Sequence, residues 1–242
     1  MTLTIILVLF FIVAFLYASV GHGGASGYIA ILILAGLPTQ SIREMALTFN
    51  LFVAAVSFLL FYKSGHFRKS LFLPLALSSV LLAWIGAHIK LPDNYFKFAL
   101  AACLLLAVIR LLFFSESSDE TNTVEMKFFH KIITGATIGF ISGVIGIGGG
   151  VLLSPILLLM KWSTIKESAA VAAPFIFVNS VAALLALPSL NYYDDKHFLT
   201  WLTASIAGGL AGAYFGSNQF KNSVLKFILA TVLLIATGKL IF

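Results

Sequence analysis

Two glycine clusters, Gly21-His22-Gly23-Gly24 and Gly146-Ile147-Gly148-Gly149-Gly150, interrupt apolar stretches 125 positions apart. Glycine has no Cβ, so a ligand can come close to the backbone. A helix restarting at about Gly24 or Gly149 leaves its first N–H groups without intrahelical partners, and its dipole makes that end positive. Two such ends facing each other form an anion site with no buried cationic side chain. The apolar segments hold almost no acidic residue: Glu44 and Glu167 stand at expected helix ends beside Arg43 and Lys166. A cation pathway through a membrane normally carries an Asp or Glu, so this inventory points to an anion. His22, Ser26, Thr48, Asn50, Asn179 and Ser180 are the polar side chains available to shape a pocket. Amide N–H groups of Asn50 and Asn179 can donate to oxyanion oxygens.

The residues expected to bind are His22, Gly23, Gly24, Ser26, Asn50, Gly148, Gly149, Gly150 and Asn179. His22 has three readings: a ligand contact, a proton carrier, or a packed polar residue bonded to a carbonyl. No catalytic residue, metal ligand or cofactor is expected, and the lone Cys103 can make no internal disulfide. Replacing Gly149 by Val is expected to abolish transport while leaving the fold largely intact.

The elements that must position these residues follow from composition. The chain has 242 residues, 60% of them hydrophobic and only 10% charged, with a mean hydropathy of +1.06. A soluble domain carries roughly 25% charged residues. The chain therefore reads as a polytopic membrane protein. Its net charge of +6 comes from basic residues placed singly at the ends of apolar segments. They read as bilayer-surface anchors and not as a nucleic-acid patch. Met1 to Val20 has no basic residue before its apolar run and so lacks the n-region of a signal peptide.

Apolar segments run from Leu3 to Leu37 (broken at the glycines), Met45 to Tyr62, Leu71 to Ile89 and Tyr95 to Phe114. After a polar stretch come Phe128 to Met160 (broken again), Ser168 to Leu187, Phe198 to Ser217 and Val224 to Phe242. Unbroken segments approach the roughly 20 residues an α-helix needs to cross a bilayer. The halves repeat: at a shift of 125, Phe15, Gly21, Gly23, Gly24 and Thr39 meet Phe140, Gly146, Gly148, Gly149 and Thr164. Further on, Phe52, Val53 and Val56 meet Phe177, Val178 and Val181, and Arg110 meets Lys239 after a register slip. Asn179 aligns with Ala54, one turn beyond the counterpart of Asn50, so the two asparagines fall on similar faces of equivalent helices.

Charge selects a topology. If each broken segment dips in and returns to its own side, ten Lys and Arg share one side and five the other. If each crosses once, the split is eight against seven. The positive-inside rule favours the hairpin, with the linker cytoplasmic and both termini outside. Each half then makes an odd number of net crossings, so the halves are inverted. The arms hold about 14 to 17 apolar residues, short for a span, which favours re-entrant hairpins with tips near the midplane, facing a cavity.

The expected fold class is an all-α polytopic membrane protein of two inverted-topology repeats. Each is a Gly-tipped re-entrant helical hairpin plus three transmembrane helices. The boundaries are 1–114 for the first repeat, 115–127 for a polar cytoplasmic linker and 128–242 for the second repeat.

The segments Gly21 to Gly27 and Gly139 to Gly150, each opening a half, resemble the TauE/SafE sulfite-exporter family, also called the toluene-sulfonate uptake permeases. The resemblance covers nearly the whole chain: its size, two halves, a glycine motif opening each and a polar linker. The first motif departs from the second, with His22 in place of Ile147 and Ala25 in place of Gly150. The resemblance implies secondary transport of sulfite, sulfonates or other small organic anions across the bacterial inner membrane. The expected partners are a small anionic substrate and the lipid bilayer, with no nucleic acid. Assembly as a homo-oligomer stays open. Alternatives are a passive anion channel and, more remotely, an intramembrane enzyme using His22. Gly208, Gly209 and Gly212 read as helix-packing glycines.

Overall fold

The computed structural model describes residues 3–37, 39–89, 123–187 and 196–221, with Leu105 and scattered positions between 223 and 234. Most of the expected linker, nearly all of the Tyr95 to Phe114 segment and the end of the last segment lie outside these residues, as do Cys103, Arg110 and Lys239.

Among the described residues the regular structure is entirely helical. The order is α1 (Leu3–Ser19), α2 (Ala25–Leu34), α3 (Thr39–Lys63), α4 (Lys69–Ala87), α5 (Phe128–Ile145), α6 (Gly150–Leu159), α7 (Ile165–Ala186) and α8 (Phe198–Tyr214). A π-helical turn, Phe215–Gln219, extends α8. Five of these stretches are long and apolar enough to cross a membrane: Ser41–Lys63, Lys69–Ala87, Phe128–Ile145, Ile165–Ala186 and Phe198–Gln219. Their outer faces are apolar as well. Leu77, Leu185 and Leu199 are 74%, 76% and 69% exposed, a placement suited to lipid. Helix α7 starts with the clearest local signal. Thr164 Oγ1 accepts from the Glu167 N–H and Glu167 Oε2 accepts from the Thr164 N–H, a reciprocal capping box.

Both broken segments fold back. Gly27 in α2 packs against Val13 and Tyr17 of α1, and the Phe10 and Tyr28 rings stack with centroids 5.5 Å apart. In a continuous helix Gly27 and Val13 would stand about 20 Å apart. In the second segment the Val124 N–H bonds the Lys161 carbonyl at 2.8 Å, and the His130 and Trp162 rings lie 6.1 Å apart. The chain therefore enters and leaves this hairpin at the same end. The arms are unequal, with 17 and 10 residues in the first hairpin and 18 and 10 in the second. This replaces the near-equal arms expected from hydropathy, because Leu37 and Met160, apolar in sequence, lie beyond the ends of the short arms.

Packing between halves is reciprocal. Helix α5 lies along α4, where a Cβ on Gly135, Gly139 or Gly143 would come within 2.1–2.4 Å of the carbonyls of Leu75, Ser79 and Ala83. Helix α8 lies along α1, where Gly208, Gly212 and Gly216 meet the carbonyls of Phe11, Phe15 and Ser19 just as closely. Both pairs run parallel with a four-residue step, the close approach that small residues permit between membrane helices. Helices α3 and α7 run antiparallel at the centre. At one end Arg68, before α4, pairs with Glu167 in the first turn of α7 at 3.5 Å. At the other, Leu47 near the start of α3 clusters with Ala87 and with Ala183 near the end of α7. Phe10, Tyr28, Phe49, Phe198 and Trp201 stack behind the first hairpin and tie α1, α2, α3 and α8 together.

Candidate functional site

The two tips share a backbone. Gly21 and Gly146, which end α1 and α5, have φ of +75° and +78°. Gly24 and Gly149, which cap α2 and α6, have φ of +99° and +80°. These are left-handed conformations that side chains disfavour, which explains the matched glycines. A Cβ on Gly149 would also lie 3.0–3.1 Å from Phe175, Ile138 and Ser142. The expectation that Gly149→Val spares the fold is therefore overturned: a β-branched residue there strains the turn itself.

The tips converge on Asn50, the twelfth of the 25 residues of α3. Cβ atoms on Gly23 and Gly148 would fall 2.1 Å from its Oδ1 and 2.4 Å from its Nδ2. Asn50 Oδ1 accepts from the Ala25 N–H at 3.1 Å, and Nδ2 donates to Ser180 Oγ at 3.0 Å. The side chain expected to hold a ligand thus caps α2 and bridges α3 to α7. His22 Nε2 shares a hydrogen bond of 2.9 Å with Ser154 Oγ of α6, joining the first tip to the second hairpin. Tyr17 Oη and Ser26 Oγ lie 2.7 Å apart within the first hairpin.

Gly148 also faces Ser180 and Ile176, and Gly150 faces Ile176. Asn179, 1% exposed, has no hydrogen-bond partner at either amide atom. It lies one turn beyond Phe175 and Ile176, which touch Gly149 and Gly148. Eight of the nine expected residues thus lie in or against the two tips, Asn179 stands one turn along α7 from Phe175 and Ile176, and all nine are buried. The tips meet protein from α3 and α7 where the sequence suggested a cavity, because the small residues let helices close on the turns.

Three participants escaped the sequence reading of the site. A guanidinium nitrogen of Arg43 donates to the Gly143 carbonyl in the last turn of α5, and the Arg43 side chain lies against Gly146. Its Nε is buried without a partner. A cation therefore stands at the second tip, contrary to the expectation of a site with none. The available signal was spacing: Arg43 precedes Asn50 by two turns on the same face of α3. Ser154 and Ser142 also reach the tips, from positions that carry no distinguishing pattern in sequence. Thr48 instead bonds back to the Glu44 carbonyl at 3.0 Å.

A family profile described as "Sulfite exporter TauE/SafE" matches residues 5–240. The chain belongs to the TauE/SafE family. It is 36% identical over 238 residues to "Probable membrane transporter protein y4hK" of Sinorhizobium fredii, covering 96% of both chains. It is 22% identical to "Probable membrane transporter protein YdhB" of Bacillus subtilis, covering 95% of this chain and 94% of that one. A third relative, "Probable membrane transporter protein MJ0441" of Methanocaldococcus jannaschii, is 29% identical over 38% of this chain and 34% of its own. No solved structure matches. This TauE/SafE member is a multi-pass membrane protein, and its relatives are named as transporters.

Proposed function

We propose that this protein is a secondary transporter for a small anion, most simply sulfite, a sulfonate or another sulfur oxyanion, in the bacterial inner membrane. The observation that carries this reading is the meeting of two glycine tips at Asn50, halfway along α3. Helix N-termini brought together at mid-depth offer backbone N–H groups and positive potential to an anion. Gly23, Gly24, Gly148, Gly149 and Gly150 supply the close approach. His22, Ser26, Asn50 and Asn179 surround it. The family supports the sulfur-anion class.

Inverted halves are supported by three features: the antiparallel α3 and α7, the exchanged α1–α8 and α4–α5 packing, and the return of the second hairpin to its entry end. With the basic flanks this favours a cytoplasmic linker and periplasmic termini. Burial of both tips supports a carrier that occludes its substrate, with one half rocking against the other.

The test is counterflow in proteoliposomes with ³⁵S-labelled sulfite. Internal sulfite, a sulfonate or thiosulfate should drive saturable uptake, while acetate and choline chloride should not. Uptake that rises linearly without saturation indicates a channel. Protein that is folded yet moves none of these anions overturns the proposal.

A further inference from the structure

The two tips share a backbone but differ in what surrounds them. At the first tip, the Ala25 N–H that opens α2 is occupied by the Asn50 carbonyl oxygen. Ser26 is bonded to Tyr17, and His22 to Ser154. What is left over is neutral: the second imidazole nitrogen of His22.

At the second tip, the residue aligned with Asn50 is Phe175, whose ring edge lies 3.0 Å from a Cβ on Gly149. A phenyl ring offers no acceptor, so the capping bond that closes α2 has no equivalent from that position on α6. Asn179 brings an amide with two unpartnered atoms to the same face of α7, and Ser142 a buried, unpartnered hydroxyl. In an apolar interior such groups are costly unless something bonds them.

Charge separates the tips further. Each contains the negative end of one helix and the positive end of the next, and these fields oppose each other. At the second tip Arg43 sits on the α5 carbonyl end, so the field of the α6 N-terminus is left uncancelled. At the first tip Gly21 packs on Ala169. At the shift that aligns Asn50 with Phe175, the residue aligned with Arg43 is Ser168; neither it nor Ala169 carries a charge.

We propose that, of the two tips that enclose the anion, only the second binds it directly, through the N-terminal end of α6, the Arg43 guanidinium and the Asn179 amide. The first tip is a closed structural counterpart, its helix end capped by Asn50. This rests on the reading of the protein as an anion transporter. The group recognised is an oxyanion with at least two oxygens, which a guanidinium edge engages in a fork that an ammonium cannot reproduce.

The experiment is equilibrium binding of ³⁵S-sulfite to the purified full chain in detergent, with apparent Tm measured alongside. Arg43→Gln and Asn179→Ala should each weaken binding at least about tenfold. Arg43→Lys should fall between native and Arg43→Gln. His22→Ala and Ser26→Ala should lose less than either. Asn179 makes no hydrogen bond in the ligand-free fold, so Asn179→Ala should weaken binding while leaving the ligand-free Tm level or raised. A purely structural residue would lower both.

Should Arg43→Gln fail to fold, Arg43→Lys and Asn179→Ala carry the test. Retention of affinity within about threefold in both, or a larger loss in His22→Ala than in Asn179→Ala, overturns the one-sided site while the transporter reading stands. Native protein that binds neither sulfite nor a competing sulfonate overturns both.

Discussion

Asn50 donates its amide to Ser180 at 3.0 Å while its carbonyl oxygen accepts from the Ala25 N–H at 3.1 Å. One side chain at the midpoint of α3 thus holds the first glycine turn closed and fastens α3 to α7. Replacing it by Ala leaves two buried groups unpaired and should cost about 1–3 kcal/mol. Asn50→Asp keeps the acceptor for Ala25 and places a negative charge between the tips. On the proposed reading as an anion transporter it should retain the fold and lose sulfite counterflow, which apparent Tm and counterflow measured together will separate.

His22 and Ser154 join the two hairpins through a buried bond of 2.9 Å. A double-mutant cycle of His22→Ala and Ser154→Ala should give a coupling of about 0.5–1.5 kcal/mol in unfolding. Additive single losses would show that the contact contributes nothing across the hairpin boundary.

Gly212 faces the Phe15 carbonyl, and a Cβ there would lie 2.1 Å from that oxygen. Because the obstacle is backbone, α1 and α8 must separate to admit it. Gly212→Ala should lower stability by about 1–3 kcal/mol, and Gly212→Leu should lower it further. Thermal unfolding followed by size-exclusion fluorescence measures both, and an unchanged Tm for Gly212→Leu contradicts the packing.

Glu167 has two roles: an ion pair with Arg68 at 3.5 Å and the capping box with Thr164. Gln preserves the box and removes the charge. Glu167→Gln should therefore cost no more than about 1 kcal/mol, as expected for a partly exposed pair. Glu167→Ala should cost about 1–2 kcal/mol by losing the cap too. The difference between the two variants should persist in high salt, which screens only the ion pair.

Much of this fold is legible in the chain. Composition fixes the membrane class because an apolar helix surface admits only lipid or other helices. The paired glycines predict where helices break, since left-handed turns at Gly21, Gly24, Gly146 and Gly149 exclude most side chains. The packing role of Gly208 and Gly212 also follows from residue type. Periodicity is less useful, because helices apolar on every side carry no face signal.

The tertiary structure decided which of these features meet. Nothing in the spacing of Asn50 says that it touches Gly23 and Gly148 at once, because that contact depends on two hairpins folding back to the middle of α3. Arg43 reads as a surface anchor in sequence and becomes a neighbour of Gly146 only when the fold brings the end of α5 within reach of its side chain. Sequence determines what each segment can tolerate in isolation: a turn, a span, a cap. Which buried polar groups find partners, and which are left unpaired at the second tip, depends on residues more than 100 positions apart and is set by packing alone.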